Sequence, residues 1–275
     1  MNRCSLLCAL LLLAAPCFAG GAAPEKLFFP CGRITYLDQP TFNEPSGIVF
    51  HPGRGTLFVV GDEGDIGEMK TDGTGLRQAH LRDADFEGIT VNPATGLLYV
   101  AIEGEEKILE VDPESFAVLR ECGIPRKFRG VELLAPGGQG LEGIAFIPDP
   151  KRPEGGTFLV ANQGFPDSPK NDPSVILEIV LPLKTGTGKE LTATTLRAIY
   201  PGVPDIGDMY YEAARQRLYL VSDTTNTFWE MNLKGELLRG YAFPGNDQEG
   251  ITVDLQGFVY VAQDSGNFLK LKWRR

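Results

Sequence analysis

The chain has 275 residues, 43% of them hydrophobic and 23% charged, with 36 acidic against 26 basic residues and a formal net charge of −10. That length and apolar content can bury a sizeable core, whereas the excess of acid argues against nucleic acid or an anionic lipid surface as partner and favours cations. The 33 glycines and 20 prolines, with no long segment that keeps a helical period, point to many short strands separated by turns.

The first element is a leader. "MNRCSLLCALLLLAAPCFAGG" carries one positive charge at Arg3, an apolar run from Leu6 to Ala15, and then small residues. It reads as a secretory signal peptide over residues 1–19, with Cys17-Phe18-Ala19 at the cleavage site. The apolar run is short for a membrane span. The alternative is anchorage through an uncleaved or lipidated N-terminus, acylated at Cys17, although Pro16 before it fits poorly. An exported, periplasmic or cell-envelope protein is expected, with one domain over residues 27–275. Cys31 and Cys122 remain after cleavage, in a compartment where disulfides form, and their pairing is left open.

Five related segments follow. They begin "EPSGIVF" at Glu44, "DFEGITV" at Asp85, "GLEGIAF" at Gly140, "DIGDMYY" at Asp205 and "DQEGITV" at Asp247. Each opens with an alternating apolar run and continues through a turn into a second strand. Third strands are predicted at "DIGEMK", "EKILEV", "SVILEI", "TFWEMN" and "NFLKLKW", and fourth strands at "LRQAHLR", "FAVLRECG", "TTLRAIY" and "LLRGYAF". Four short antiparallel strands in about 40 residues is the pattern of a propeller blade. The last unit stops after three strands, and "ITYLDQP" from Ile34 resembles the missing fourth. An all-β, five-bladed propeller is therefore predicted, its last blade closed by the N-terminal strand, which hides the edges. "PDPKRPEGG", "GFPDSPKNDP" and "LPLKTGTGKE" read as loops decorating one blade.

In a blade the start of the first strand and the end of the second lie at the same mouth of the central channel, and here both are acidic. Glu87, Glu142 and Glu249 precede the repeat glycine in three units. Glu44 and Asp205 stand two positions earlier in the others. Asp62, Glu103, Asp223 and Asp264 mark ends of second strands, with Asn162-Gln163 in the third unit. Carboxylates converging on one axis cannot all stay ionised without a counter-charge, and Ca²⁺, which takes six to eight oxygen ligands, supplies one. Glu87, Glu142, Glu249, Glu44, Asp205, Asp62 and Asp223 are the candidate ligands. The alternative is that these acids accept backbone amides of the neighbouring blade and pin the ring. The glycine beside them is expected to let the chain turn sharply into the channel lining.

The motifs "EPSG", "GDEG", "DFEGI", "GLEGIAF", "VSD" and "DQEGI", in that order over the whole chain after the leader, resemble the SdiA-regulated, or YjiK-like, family of exported β-propellers, and more distantly NHL-type propellers. The resemblance implies a five-bladed ring, a calcium site carried by Glu87, Glu142 and Glu249 with Glu44 and Asp205 behind them, and a link to calcium homeostasis. Two departures are Asp208, in place of the fourth repeat glycine, and Asn162-Gln163.

Other signals are weaker. "KTGTGKE" lacks phosphate-loop spacing and reads as a hairpin tip. "GDEGDIGE" misses the EF-hand pattern, leaving Asp62 alone as a candidate ligand. His51 and His80 have no nucleophile motif beside them. Phe86, Tyr99, Phe146 and Phe158 fall at strand period and read as core. Two functions stand open: a binding module that takes calcium and possible small-molecule or envelope partners as a monomer, which is favoured, and a calcium-dependent hydrolase of lactones, esters or phosphoesters with Glu63 or Asp223 as base.

Overall fold

The computed structural model describes residues 26–37, 42–135, 140–164 and 174–274, so the proposed leader lies outside the described residues. The repeats form four-stranded antiparallel blades. Blade one is Pro45–His51, Thr56–Gly61, Asp65–Lys70 and Arg77–His80; blade two is Phe86–Val91, Leu98–Ile102, Lys107–Val111 and Val118–Gly123. Blade three is Leu141–Pro148, Gly156–Asn162, Ile176–Val180 and Thr194–Ile199. Blade four is Ile206–Glu212, Arg217–Ser222, Thr227–Asn232 and Leu237–Ala242. Blade five is Gln248–Val253, Phe258–Gln263 and Asn267–Trp273, completed by Cys31–Tyr36, which pairs antiparallel with the last of these. The protein is a five-bladed β-propeller closed by its N-terminal strand. Cys31 and Cys122 are both free thiols, in blades five and two.

The strand alternation has a simple cause. Each blade is covered on both faces by its neighbours, and five apolar clusters fill the five gaps. Tyr99 of blade two meets Phe158 of blade three edge-on at 4.8 Å, and Phe86, Tyr99, Phe146 and Phe158 are all buried. Between blades four and five, Phe228, Tyr219 and Trp273 pack together, with Phe29 inserted 4.9 Å from Phe228. Aromatic pairs of this geometry stabilise beyond their buried area.

Two features were not legible in the repeat. Glu190–Thr192 leaves blade three and adds in parallel to the outer edge of blade two, and Lys26–Phe28 adds in parallel to blade four. Each covers an otherwise open edge. The "LPLKTGTGKE" loop is thus the route by which blade three reaches its neighbour.

The repeat glycines serve closeness rather than turning, which corrects the sequence expectation. None of Gly47, Gly88, Gly143 and Gly250 has a left-handed φ. A Cβ on Gly47 would lie 2.4 Å from the Glu87 carbonyl oxygen of the next blade. On Gly88 it would lie 2.6 Å from that of Glu142, on Gly143 2.7 Å from the Asp208 Cα, and on Gly250 2.7 Å from the Ile48 nitrogen. The contacts join blade one to two, two to three, three to four, and five back to one, while Asp208 stands in the glycine's place in blade four. At these four junctions the innermost strands therefore meet backbone to backbone, at a waist with no room for a methyl group.

Candidate metal centre at the channel mouth

One hydrogen bond recurs in every blade and fixes both acidic positions at one end of the channel. The amide at the end of the second strand donates to the carbonyl three residues before the repeat position: Asp62 to Glu44 at 3.4 Å, Glu103 to Asp85 at 3.0 Å, Gln163 to Gly140 at 3.1 Å, Asp223 to Asp205 at 3.3 Å and Asp264 to Asp247 at 3.2 Å. Glu44, Asp205 and Asp247 accept this bond with left-handed backbone, φ 40°, 50° and 57°. Strain of this kind is retained where the surroundings enforce it.

Eight side chains converge just inside, around a cavity of about 240 Å³: Ser46, Asp62, Glu87, Glu103, Glu142, Gln163, Glu249 and Asp264. Among the described residues six of these are carboxylates and none is basic. Oxygens of Glu87, Glu103 and Glu142 lie within 4.8 Å of one another, as do those of Asp62, Asp85 and Glu87. Burial, then the charge of Glu142, raises Glu87 well above the usual carboxylate range; burial, then Glu103 and Glu249, does the same to Glu142. Glu249 is pushed up to about 8 by burial and by Asp223, Asp205, Asp264 and Asp62. Burial also lifts Asp62 to about 6, against the hydroxyl of Ser46, and raises Glu103, whose Oε1 accepts the Gly140 amide at 2.7 Å.

Glu103 and Glu142 bring carboxylate oxygens within 4.8 Å of each other, and each perturbs the other's ionisation. Two ionised carboxylates have no proton to share, so a proton or a cation has to lie between them. An all-oxygen donor set with this much negative charge fits a hard divalent cation. It does not fit a metal that prefers nitrogen or sulfur, since among the described residues no histidine or cysteine lines the cavity.

The sequence-derived candidates divide. Asp62, Glu87, Glu142 and Glu249 line the cavity; Glu44, Asp205 and Asp223 do not. Asp205 Oδ2 accepts the Thr224 amide at 3.0 Å and also its hydroxyl, and Asp223 Oδ1 accepts the Gln248 amide at 3.2 Å. Glu44 is exposed. Their charge still reaches the cavity: Asp205 and Asp223 both act on Glu249, and Glu44 acts on Asp62. Glu103, Asp264, Gln163 and Ser46 are cavity residues left off the ligand set inferred from sequence, although all but Ser46 end a second strand, and that position was the available signal.

Pinning of the ring is shared: Asp223 accepts an amide of blade five and Glu103 one at the entry to blade three, and other residues add further links. Thr90 Oγ1 accepts the Phe146 amide at 3.2 Å and Thr252 Oγ1 the Phe50 amide at 2.9 Å, joining blades two to three and five to one. Asp208, fully buried, accepts the Ile251 amide at 2.9 Å on Oδ2, so the carboxylate replacing the fourth glycine sits within the ring. Among the described residues no backbone amide donates to the side chains of Glu87, Glu142 or Glu249. The histidines are apart from the site: His51 is buried with Nε2 2.9 Å from the Gly96 carbonyl, and His80 lies between Asp65 and Asp83 on an outer strand.

Among solved structures, the glutaminyl cyclase of Myxococcus xanthus superposes with a TM-score of 0.62 at 13% identity, covering 90% of this chain and 97% of that one. The Cps50 (Swd1) β-propeller domain of Myceliophteria thermophila gives a TM-score of 0.50 at 8% identity, over 87% of this chain and 99% of that one. Identities this low establish a shared fold alone. No curated protein sequence matches the chain significantly. A family model described as phytase-like, esterase-like activity of phytase, matches residues 40–194. That span is more than half the chain and holds blades one and two and the first three strands of blade three, with Asp62, Glu87, Glu103 and Glu142. The chain belongs to this phytase-like family.

Proposed function

We propose that the protein is an exported propeller that binds Ca²⁺ at its acidic mouth, acting as a binding module in calcium homeostasis, as the SdiA-regulated, YjiK-like resemblance implies. The observation that carries this reading is the buried Glu103–Glu142 pair beside Glu87, an acceptor-only cluster that needs a cation or a proton. Glu87, Glu103 and Glu142 would hold the ion, with Asp62, Glu249 and Asp264 completing the negative wall. Calcium added to chelator-treated protein is expected to raise the thermal midpoint saturably, because a ligand that binds only the folded state stabilises it. An unchanged midpoint at millimolar calcium would leave the acids as a protonated, structural cluster.

A second reading, calcium-dependent hydrolysis of an ester, lactone or phosphoester, is favoured by the family match. When bound, the ion would supply Lewis-acid polarisation of the substrate oxygen. Neither Glu63 nor Asp223 lines the cavity, so the base would come from the acids that do. Turnover of 4-nitrophenyl acetate, a short lactone or 4-nitrophenyl phosphate that vanishes with chelator and in Glu142→Gln would support this reading; calcium binding without turnover would support the first.

A further inference from the structure

A cluster of basic side chains lies away from the acidic mouth. On the outer side of blades four and five, a cavity of about 530 Å³ is lined by Arg215, Arg217, Arg239 and Arg274, with Glu230 the one acid among the described residues that line it. The strand ends that build it, Arg217, Leu237 and Trp273, all lie away from the acidic mouth. Four guanidinium groups around one cavity stand out in a chain of net charge −10.

The repeat shows what is unusual here. In blades one to four a glutamate on the third strand stands opposite an arginine on the fourth: Glu68 with Arg77, Glu110 with Arg120, Glu178 with Arg197 and Glu230 with Arg239. The first three pairs are closed, at 2.7, 2.6 and 2.6 Å. The fourth is open. The Tyr241 hydroxyl approaches Glu230 at 3.4 Å instead, and among the described residues none of Arg217, Arg239 and Arg274 forms a salt bridge. Arg215 has only Glu212, at 3.7 Å. Four arginines against the single acid Glu230 leave an excess of like charge in the cleft, and the planar guanidinium matches a tetrahedral oxyanion through paired hydrogen bonds.

We propose that this cleft binds the phosphate group of an anionic ligand through Arg217, Arg239 and Arg274. The cleft is independent of the calcium site. Its wall Trp273 also lines a larger cavity, of about 680 Å³, at the far mouth of the channel, where Phe50, Phe146 and Tyr210 give apolar walls. The phosphate can therefore come free in solution or on a molecule whose apolar part occupies that neighbouring space. Both cavities are of the size that small-molecule sites take.

The test is calorimetric titration of the full chain, in chelator and at low salt, with inorganic phosphate and with octyl phosphate. Saturable binding is expected, weakened about tenfold or more in Arg239→Gln/Arg274→Gln at an unchanged thermal midpoint, because charge-assisted hydrogen bonds are lost. Glu230→Gln should tighten it, and Glu142→Gln should leave it unchanged. Octyl phosphate binding tighter than phosphate, with a change in indole emission that Trp273→Phe abolishes, supports the site and assigns an apolar-tailed ligand; equal affinities support it and assign free phosphate. Absence of binding by both probes, or affinity unaltered in the double arginine variant, overturns the proposal.

Discussion

Gly88→Ala tests the reason for the glycine in the repeat. The added methyl would stand 2.6 Å from the Glu142 oxygen and 2.9 Å from the Ile144 nitrogen, both backbone atoms of the next blade, and therefore unable to swing aside. Ordinary contact at these atoms needs about 3.4 Å or more, so blades two and three must separate by several tenths of an ångström at the waist. Overpacking of this kind costs about 1–3 kcal/mol or more, and backbone contact on two sides puts Gly88→Ala at about 3 kcal/mol. For a protein of this size that lowers the thermal midpoint by roughly 6–12 °C. Gly123→Ala is the control, also in a strand, where the added methyl meets only the Leu191 oxygen at 3.9 Å; its cost should stay within about 0.5 kcal/mol. Because the displaced segment carries Glu142, Gly88→Ala should also weaken calcium binding. Thermal and urea denaturation of the two variants decide the matter. Equal stability of Gly88→Ala and Gly123→Ala would refute the close-approach argument and return the glycine to a turning role.

The metal-free protein should lose stability as pH rises. Glu249 titrates near 8 when folded against an ordinary 4.5, so its contribution is fully present below about pH 4.5 and is lost by about pH 8. The shift bounds that loss at about 5 kcal/mol, and solvent at the open cavity reduces it to on the order of 2 kcal/mol. Urea denaturation in chelator across this range, with Glu249→Gln flattening the slope, checks it. Calcium should reverse the trend, because its ligands must be deprotonated. Asp208→Ala leaves the Ile251 amide without its acceptor and should cost about 1–3 kcal/mol by chemical denaturation, more than Asp208→Asn, which retains an oxygen. Phe158→Ala, opening a cavity between Tyr99 and Phe146, should cost about 3–5 kcal/mol.

The fold was legible because a propeller writes itself as a repeat. Every blade needs the same alternation to be covered on both faces, and the missing fourth strand of the last unit had a visible counterpart at Ile34–Tyr36. What the repeat could not convey is distance between units. Gly47 and Gly88 read as turn residues because the neighbouring backbone that excludes a methyl lies a whole repeat away in the chain, at Glu87 and Glu142. The acids were found as a class, but position alone did not say which face the cavity. Asp205 and Asp223 occupy repeat positions as regular as that of Glu103, yet their carboxylates turn to backbone amides, that of Thr224 within the blade and that of Gln248 in the next blade. That choice is made by side-chain geometry, which an alternating pattern does not encode. The arginine cleft was invisible for a related reason. Arg215, Arg217 and Arg239 belong to one blade and Arg274 to the next, and nothing local marks the Glu230–Arg239 pair as open where its three counterparts are closed.

The central claim is that the acidic mouth holds calcium through the carboxylates lining its cavity. Calorimetric titration of Ca²⁺ into chelator-treated protein, run in parallel on Glu142→Gln and Glu44→Gln, tests it most directly. The expected result is saturable binding to the wild type, abolished in Glu142→Gln and retained in Glu44→Gln, whose side chain lies outside the cavity. No heat at millimolar calcium, or a Glu142→Gln curve matching the wild type, would contradict it.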